Sequence, residues 1–203
     1  MHEEVAILWK RERAVPKDLI RQIDQARALY DDEQYERAEA LIRALLPLCD
    51  DAVGSDHREA IGLRNVLGSV LYQQRELVGS ALLHREAMEL GIGSLGRNDR
   101  LTLSCAHNYA AALAVMGRTD ESIEILRDTL RRRTRKLGAH HEETLLTSNT
   151  LGATLFSTGA IGPGIDLLRQ AHARSSRLPA AHPLRHDIKN NLEIALRNSG
   201  PRW

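Results

Sequence analysis

Apolar residues recur along this chain at helical spacing, and the arrangement of small and apolar positions returns at a fixed interval. Gly54, Gly96 and Gly138 lie 42 residues apart, and the last two each follow a leucine and precede a polar stretch. A fixed period of this length indicates stacked supersecondary units, so these glycines are expected to lie in turns between repeats. The pattern therefore predicts an array of helical repeats.

Three further registers run through each repeat at the same interval. Each register is a set of positions 42 residues apart. The first register holds small residues, the second holds small residues twelve positions later, and the third holds leucine three positions after the first. These registers are Ala26, Gly68, Ala110 and Gly152; Ala38, Ser80, Ser122 and Gly164; and Leu29, Leu71, Leu113 and Leu155. Small side chains let two helices approach closely, and a leucine on nearly the same helix face fills the seam beside them. Each repeat is therefore expected to be a hairpin of two helices, A and B.

Turn residues and prolines set the expected helix boundaries. The expected pairs are 17–32 with 35–53, 57–74 with 77–94, 99–116 with 119–137, and 141–158 with 161–177. A ninth helix at 184–199 follows two prolines and has no partner, so it is expected to cap the apolar edge of the last pair. Asp56 and Glu59 have the spacing of a capping box at the start of the third helix.

The two small registers with their leucine resemble the tetratricopeptide repeat, although the usual period of that family is shorter. The segments Lys136–Leu145 and Ser148–Leu155 closely resemble the long repeats of kinesin light chains and related bacterial proteins. The resemblance covers about 18–199 and implies an all-α fold, a right-handed α-solenoid of four helical hairpins with a C-terminal capping helix. HEAT and armadillo arrays, the structural alternative, fit the doubled small-residue pattern poorly.

The resemblance also implies how the chain is divided. An N-terminal extension at 1–16 precedes a solenoid at 17–199, and a short tail follows at 200–203. The repeats are expected at 17–55, 56–97, 98–139 and 140–180, with the capping helix at 184–199. Within 1–15, Trp9 is a candidate packing anchor against the first repeat, unless this segment is frayed.

Composition excludes several classes of partner. The formal net charge of +1 and an aromatic content of 3% argue against nucleic acid, which needs basic patches and base-stacking rings. No apolar run approaches the roughly 20 residues of a membrane span, and the first 15 residues do not resemble a signal peptide. Cys49 and Cys105 have no paired spacing, which favours reduced thiols and a cytoplasmic location.

In such a solenoid the A helices line the concave face, where an extended polypeptide is the expected ligand. The candidate groove residues are Arg27, Asn65, Ser69, Tyr72, His107, Asn108, Asn149, Phe156 and Asn190. Asparagine carries donors and an acceptor, so a row of asparagines can bond a peptide backbone whatever its side chains are. The alternative is that Asn65, Asn149 and Asn190 bond within the solenoid itself.

Other groove side chains have different expected roles. Tyr72 and Phe156 are expected to form apolar pockets, and Arg27 to pair with an acidic side chain or a terminal carboxylate. The run Arg131–Lys136 is expected to be a solvated face at the end of a B helix. The loop histidines are expected to be structural, and they are His57, His140, His141 and His182.

No motif for nucleophilic, phosphate-binding or metal-dependent catalysis occurs, so we expect no enzyme, no catalytic residue, no metal and no cofactor. The sequence therefore favours a protein–protein interaction module, an adaptor or scaffold whose concave groove binds a protein or an extended peptide. A sensor or regulatory component of a signalling or transcription system is the first alternative, and a helical-repeat enzyme is the second. A homodimer is also possible.

Overall fold

The computed structural model describes residues 14–199. All regular structure in this range is helical, and the prediction of an all-α fold is confirmed. The helices are α1 (Lys17–Asp31), α2 (Tyr35–Val53), α3 (Arg58–Gln73), α4 (Leu77–Ser94), α5 (Arg100–Val115), α6 (Thr119–Leu137), α7 (Glu142–Ser157), α8 (Ile161–Arg174) and α9 (Pro183–Asn198). A short 3₁₀ turn, Ser175–Arg177, follows α8. The expectations for Trp9, the tail at 200–203 and most of the N-terminal extension lie outside the described residues.

Each hairpin turns at one residue with a left-handed backbone, and these residues are again 42 apart. They are Glu33 (φ 59°), Arg75 (φ 68°), Gly117 (φ 81°) and Gly159 (φ 87°). The amide of the next residue donates to the carbonyl of the recurring leucine, at 2.8 Å from Gln34 to Leu29 and 3.0 Å from Ala160 to Leu155. A left-handed residue with such a bond satisfies the last carbonyls of a helix. The leucine register therefore contributes its carbonyl to the turn as well as its side chain to the seam.

The turns between repeats contain glycines with positive φ, as the period predicts. Gly54, Gly96 and Gly138 have φ of 98°, 91° and 91°, a region that favours glycine. After each glycine, a polar side chain accepts a hydrogen bond from the backbone amide two residues later, at the start of an A helix. The pairs are His57 Nδ1 with Glu59 (3.2 Å), Asp99 Oδ1 with Leu101 (2.8 Å) and His141 Nδ1 with Glu143 (3.2 Å).

These bonds correct one prediction and explain two loop histidines. The N-cap of α3 is His57, so the expected capping box from Asp56 to Glu59 is wrong. The reason is that an unprotonated imidazole nitrogen reaches the first-turn amide from the position after Asp56. His141 caps α7 in the same way, 84 residues later. Both histidines have the structural role that was expected for them.

The small registers lie where the two helices of a hairpin cross. Ala26, Ala38, Ala110 and Ser122 are fully buried. A Cβ on Gly164 would lie 2.9 Å from the carbonyl oxygen of Gly152, so no side chain fits between these helices. The second hairpin differs, because a Cβ on Gly68 would lie 2.8 Å from Cε1 of the His84 imidazole. Close approach at the small residues is thus confirmed, with an imidazole filling one of the crossings.

Two compact units divide the chain after Cys105, within α5. In the first unit, α1, α2 and α3 share one core, which contains Ile23, Ile42, Leu45, Leu63 and Leu67. A smaller cluster of Ile61, Ala87 and Cys105 joins α3, α4 and the first turns of α5. In the second unit, a cluster of Ala110, Leu126, Leu151 and Leu155 joins α5, α6 and α7.

Helix α9 covers the apolar edge of α7 and α8 in the second unit, which confirms its predicted capping role. Leu184 and Ile188 pack against Leu145 and Ala171, while Leu192 and Ala195 pack against Ile165 and Leu168. The opposite side of α9 is polar. Residues 42 positions after the buried Ser148, Leu151 and Leu155 are the exposed Asn190, Glu193 and Arg197. A further helix would find few apolar partners among those three residues.

Candidate polypeptide-binding face

In the first unit, Arg27 connects the A helices α1 and α3. Its guanidinium lies 3.1 Å from Asp24 on its own helix and 2.5 Å from Glu59 on α3, with 39% of its side chain exposed. The same group passes over Gly62, where an added Cβ would lie 3.4 Å from it. A partner carboxylate would therefore compete with Asp24 and Glu59 for this guanidinium, and the three charges sum to about −1. This end of α3 favours a neutral or basic partner group.

Asn65 bonds within its own hairpin. Its Oδ1 lies 3.0 Å from Nδ1 of His84, a buried residue of α4. Burial lowers the pKa of His84 to about 4, and a hydrogen bond with the Gly68 backbone acts in the opposite direction. The imidazole is therefore neutral near pH 7, and Asn65 positions it between α3 and α4. The sequence did not single out His84, although it lies next to a small-register glycine.

Ser69 and Tyr72 lie on the same side of α3 as Asn65, at spacings of four and seven residues. Both residues are half-buried. The Ser69 hydroxyl donates to the Asn65 carbonyl at 3.1 Å, so its own helix already uses it. The face of α3 thus runs about 15 Å from Gly62 to Tyr72, at ~1.5 Å per residue.

In the second unit, Asn149 on α7 is buried and bonds to the capping helix. Its Oδ1 accepts from Nδ2 of Asn191 at 3.1 Å. Asn191 lies 42 residues after Asn149, whereas the sequence analysis chose Asn190, which the structure places in the exposed outer side of α9. Strict use of the 42-residue interval would have found the correct asparagine. For Asn65 and Asn149, the geometry matches the alternative of bonds within the fold.

The remaining candidates of the second unit lie on α5 and α7. His107 is buried and Asn108 is half-buried on α5. Phe156 is half-buried against the cluster of Ile165, Leu168, Leu192 and Ala195, so it belongs partly to the core of the last hairpin. Part of the Phe156 ring and the neighbouring small side chain of Ala153 remain accessible on this helix.

Among residues 14–199 two arginines are buried, and one of them overturns an expectation. Arg133 lies inside the basic run at 131–136 but is only 2% exposed, so a uniformly solvated face is wrong for it. It donates to the Glu143 carbonyl (2.9 Å) and to the Thr147 hydroxyl (2.8 Å), joining α6 to α7. Arg64 in the first unit holds Asp50 of α2 through two nitrogens, at 2.7 and 2.9 Å, and Glu86 of α4 at 2.7 Å. Five N–H donors on one planar group allow an arginine to link several elements.

The other two loop histidines contact residues that are 34 and 40 positions away in the chain. His140 Nδ1 lies 3.3 Å from the Arg174 carbonyl, and His182 Nε2 lies 3.5 Å from the Glu142 carboxylate. Within residues 14–199, no group of three or more His, Cys, Asp or Glu side chains could hold a metal ion. Over the same range, no helix is both long and apolar enough to cross a membrane. Cys49 and Cys105 are free and buried, and burial raises the pKa of the Cys105 thiol to about 12.

Comparison with known families and structures gives this geometry its context. The family model of the tetratricopeptide repeat matches residues 101–177, which include α6, α7 and α8 with their two small registers. Over this segment the chain is similar to the tetratricopeptide repeat family. The confirmed resemblance was based on the same residues, the small pairs twelve apart and their leucines.

Solved structures are similar in fold to nearly all of the chain. The kinesin light chain nearly identical TPR-like repeats of Podosopora anserina have a TM-score of 0.76 at 20% identity, covering 93% of this chain and 90% of theirs. A variant of that protein has a TM-score of 0.77 at 20% identity, covering 91% and 88%. BtubC (BKLC) from P. vanneervenii has a TM-score of 0.70 at 14% identity, covering 92% and 85%. At these identities the likeness shows the fold, an all-α solenoid.

No curated protein matches the sequence significantly. The tetratricopeptide repeat fold typically serves protein–protein interaction, because stacked hairpins expose long helical faces.

Proposed function

We propose that this chain is a protein–protein interaction module that holds an extended segment of a partner protein along its A helices. The observation that carries the proposal is Tyr72, which is partly exposed on the α3 face and whose hydroxyl has no hydrogen-bond partner among residues 14–199. An aromatic side chain with an accessible polar tip is a common anchor in protein interfaces. The match of residues 101–177 to the tetratricopeptide repeat family supports the same role.

The α3 face sets the size and chemistry of the bound segment. The ~15 Å between Gly62 and Tyr72 matches four to five extended residues at about 3.3 Å each. Tyr72 offers an apolar contact at one end, while Asp24, Arg27 and Glu59 favour a neutral or basic group at the other. In the second unit, Asn108, Ala153 and Phe156 are the corresponding accessible contacts. Asn65 and Asn149 bond within the fold, His107 is buried, and Asn190 lies outside the face.

The partner is a protein or peptide in this proposal, and neither nucleic acid nor catalysis is part of it. The near-zero net charge supports a protein partner over nucleic acid, since nucleic acid binding requires a strongly basic surface. Two buried thiols with no partner cysteine fit a reducing compartment, so we place the protein in the cytoplasm. Fractionation of the native cell would test that location.

Comparative affinity capture tests the binding face. Tyr72→Ala combined with Ser69→Arg removes the anchor and fills the α3 face, and Leu82→Ala on the exposed side of α4 is the matched control. Proteins captured by the wild type and the control but lost from the double variant are the partners that the proposal predicts. Circular-dichroism melts of all three proteins check that the fold is intact. Equal capture by a folded double variant would reject the α3 face.

A further inference from the structure

The outer face of α6 carries charged side chains in an order that complements itself when reversed. Asp120 and Glu124 precede Arg127 and Arg131 along the helix, and all four are exposed. Their spacings of four, three and four residues place them on one side of the helix. An identical helix running the other way would present arginines to the acids and acids to the arginines.

A shallow groove with an apolar floor accompanies these charges. Its volume is about 560 Å³, and it is lined by α6 and by Leu151 of α7. Ile123 and Leu130 are half-buried within this lining, one on either side of Arg127. The face therefore combines an apolar strip with charged margins, as protein interfaces commonly do.

The same register in the other B helices lacks this order. The corresponding residues are Glu36, Ala40, Arg43 and Pro47 in α2; Val78, Leu82, Arg85 and Glu89 in α4; and Gly162, Asp166, Arg169 and Ala173 in α8. The arginine at the third position is common to the four helices, but two acids followed by two arginines occur in α6 alone among the helices described. General solubility of a B-helix surface does not require that arrangement.

We propose that α6 is a self-association surface on which a second copy of this chain docks through its own α6 in antiparallel orientation. Asp120 pairs with Arg131 of the second copy, and Glu124 pairs with Arg127 of the second copy. Both pairs are centred midway between residues 125 and 126, so one two-fold axis serves them. The midpoint between Ile123 and Leu130 lies one residue further along the helix, about 1.5 Å from the midpoint of the charged pairs. These two apolar side chains therefore meet those of the second copy near the same axis. Such an interface is isologous, with each pair formed twice.

The association is weak and sensitive to salt. Exposed ion pairs contribute little individually, and one helix face buries less area than a standard interface. Arg131 already pairs with Asp128 at 2.9 Å, but the Arg131 side chain is 73% exposed and that of Asp128 is 42% exposed, so exchanging that partner costs little. Complementary charges therefore act mainly by fixing the orientation of two copies whose apolar strips meet.

Charge reversal with rescue tests this surface by sedimentation equilibrium over a range of protein and salt concentrations. Arg127→Glu with Arg131→Glu, and separately Asp120→Lys with Glu124→Lys, should each weaken self-association by at least about tenfold. Mixing these two variants should restore association, now between unlike chains. The chain carrying all four changes should again self-associate. Arg43→Glu with Arg85→Glu is the matched control, because it makes the same charge change at this register in α2 and α4 and should self-associate like the wild type.

Each other result would overturn the proposal. A wild type that remains a monomer at its highest soluble concentration and low salt contradicts it. A charge-reversed variant that is folded by circular dichroism and associates as the wild type does contradicts it. Failure of the mixed variants to associate contradicts it as well. Binding of α6 to a different protein without self-association would also reject it, since the second copy is the stated occupant.

Discussion

The hydroxyl of Ser122 donates a hydrogen bond to the carbonyl oxygen of Ala110 over 2.7 Å, joining α6 to α5 at the crossing of the third hairpin. Both residues are fully buried, and they lie twelve apart, as the small registers require. Ser80 occupies the same register one repeat earlier and is equally buried. Its hydroxyl has no hydrogen-bond partner among the residues described, because the His84 imidazole lies over Gly68 in that hairpin.

Ser122→Ala should lower the free energy of unfolding by about 1 kcal/mol, because it removes a buried hydrogen bond. Ser80→Ala should be neutral or slightly stabilising, since it removes a buried hydroxyl that has no partner. Urea denaturation of both variants beside the wild type measures the difference. Equal losses at the two positions would show that the hydrogen bond to Ala110 contributes nothing to stability.

Gly164→Ala should destabilise the protein by about 1–3 kcal/mol through overpacking at the last crossing. The new Cβ would lie 2.7 Å from the backbone nitrogen of Phe156 and 2.9 Å from the Gly152 carbonyl, and backbone atoms cannot rotate away. Gly162→Ala in the same helix is the control, because a Cβ there meets nothing within 4 Å. It should be neutral or stabilising by up to about 1 kcal/mol. Thermal melts in which Gly164→Ala is as stable as Gly162→Ala would contradict the close approach.

Arg75→Gly should stabilise the second hairpin turn by about 0.5–1 kcal/mol. Arg75 has φ of 68°, a conformation that disfavours residues with a Cβ, and glycine relieves that strain. Gly117→Ala makes the reverse change at the equivalent turn and should destabilise by a similar amount. A Cβ at Gly117 meets nothing within 4 Å, so backbone conformation is the cause there. Denaturant midpoints that move in the same direction for both variants would refute this explanation.

His84 should make the stability fall as the pH falls between about 6.5 and about 4. Its folded-state pKa is about 4, below the usual 6.5, so the unfolded chain binds more protons in that window and acid favours unfolding. The loss between pH 7 and pH 5 should be about 2 kcal/mol, from ~1.4 kcal/mol per pKa unit. His84→Gln keeps a polar side chain but cannot titrate there, and every other histidine remains. Urea curves at both pH values should show a smaller pH dependence for the variant, and an unchanged pH dependence would exclude His84 as the cause.

Much of the local structure could be predicted from the sequence because it depends on residues near in the chain. The 42-residue interval and its glycines predicted nine helices whose observed ends differ by at most three residues. The small registers predicted the hairpin crossings, since at Gly152 and Gly164 only the absence of a side chain permits the contact. The polar outer side of α9 follows from the same interval.

The direction and partners of polar side chains were decided by tertiary packing. Asn65 and Asn149 could face a ligand or the fold equally well by spacing, and their partners His84 and Asn191 lie on other helices, 19 and 42 residues away. Arg133 looks like its neighbours in a basic run, yet one step of about 100° around the helix turns it into the interior, toward Thr147. Helical period and turn positions are local properties of this sequence. Whether a polar group is satisfied inside depends on what a distant segment brings to it, which only the packed helices determine.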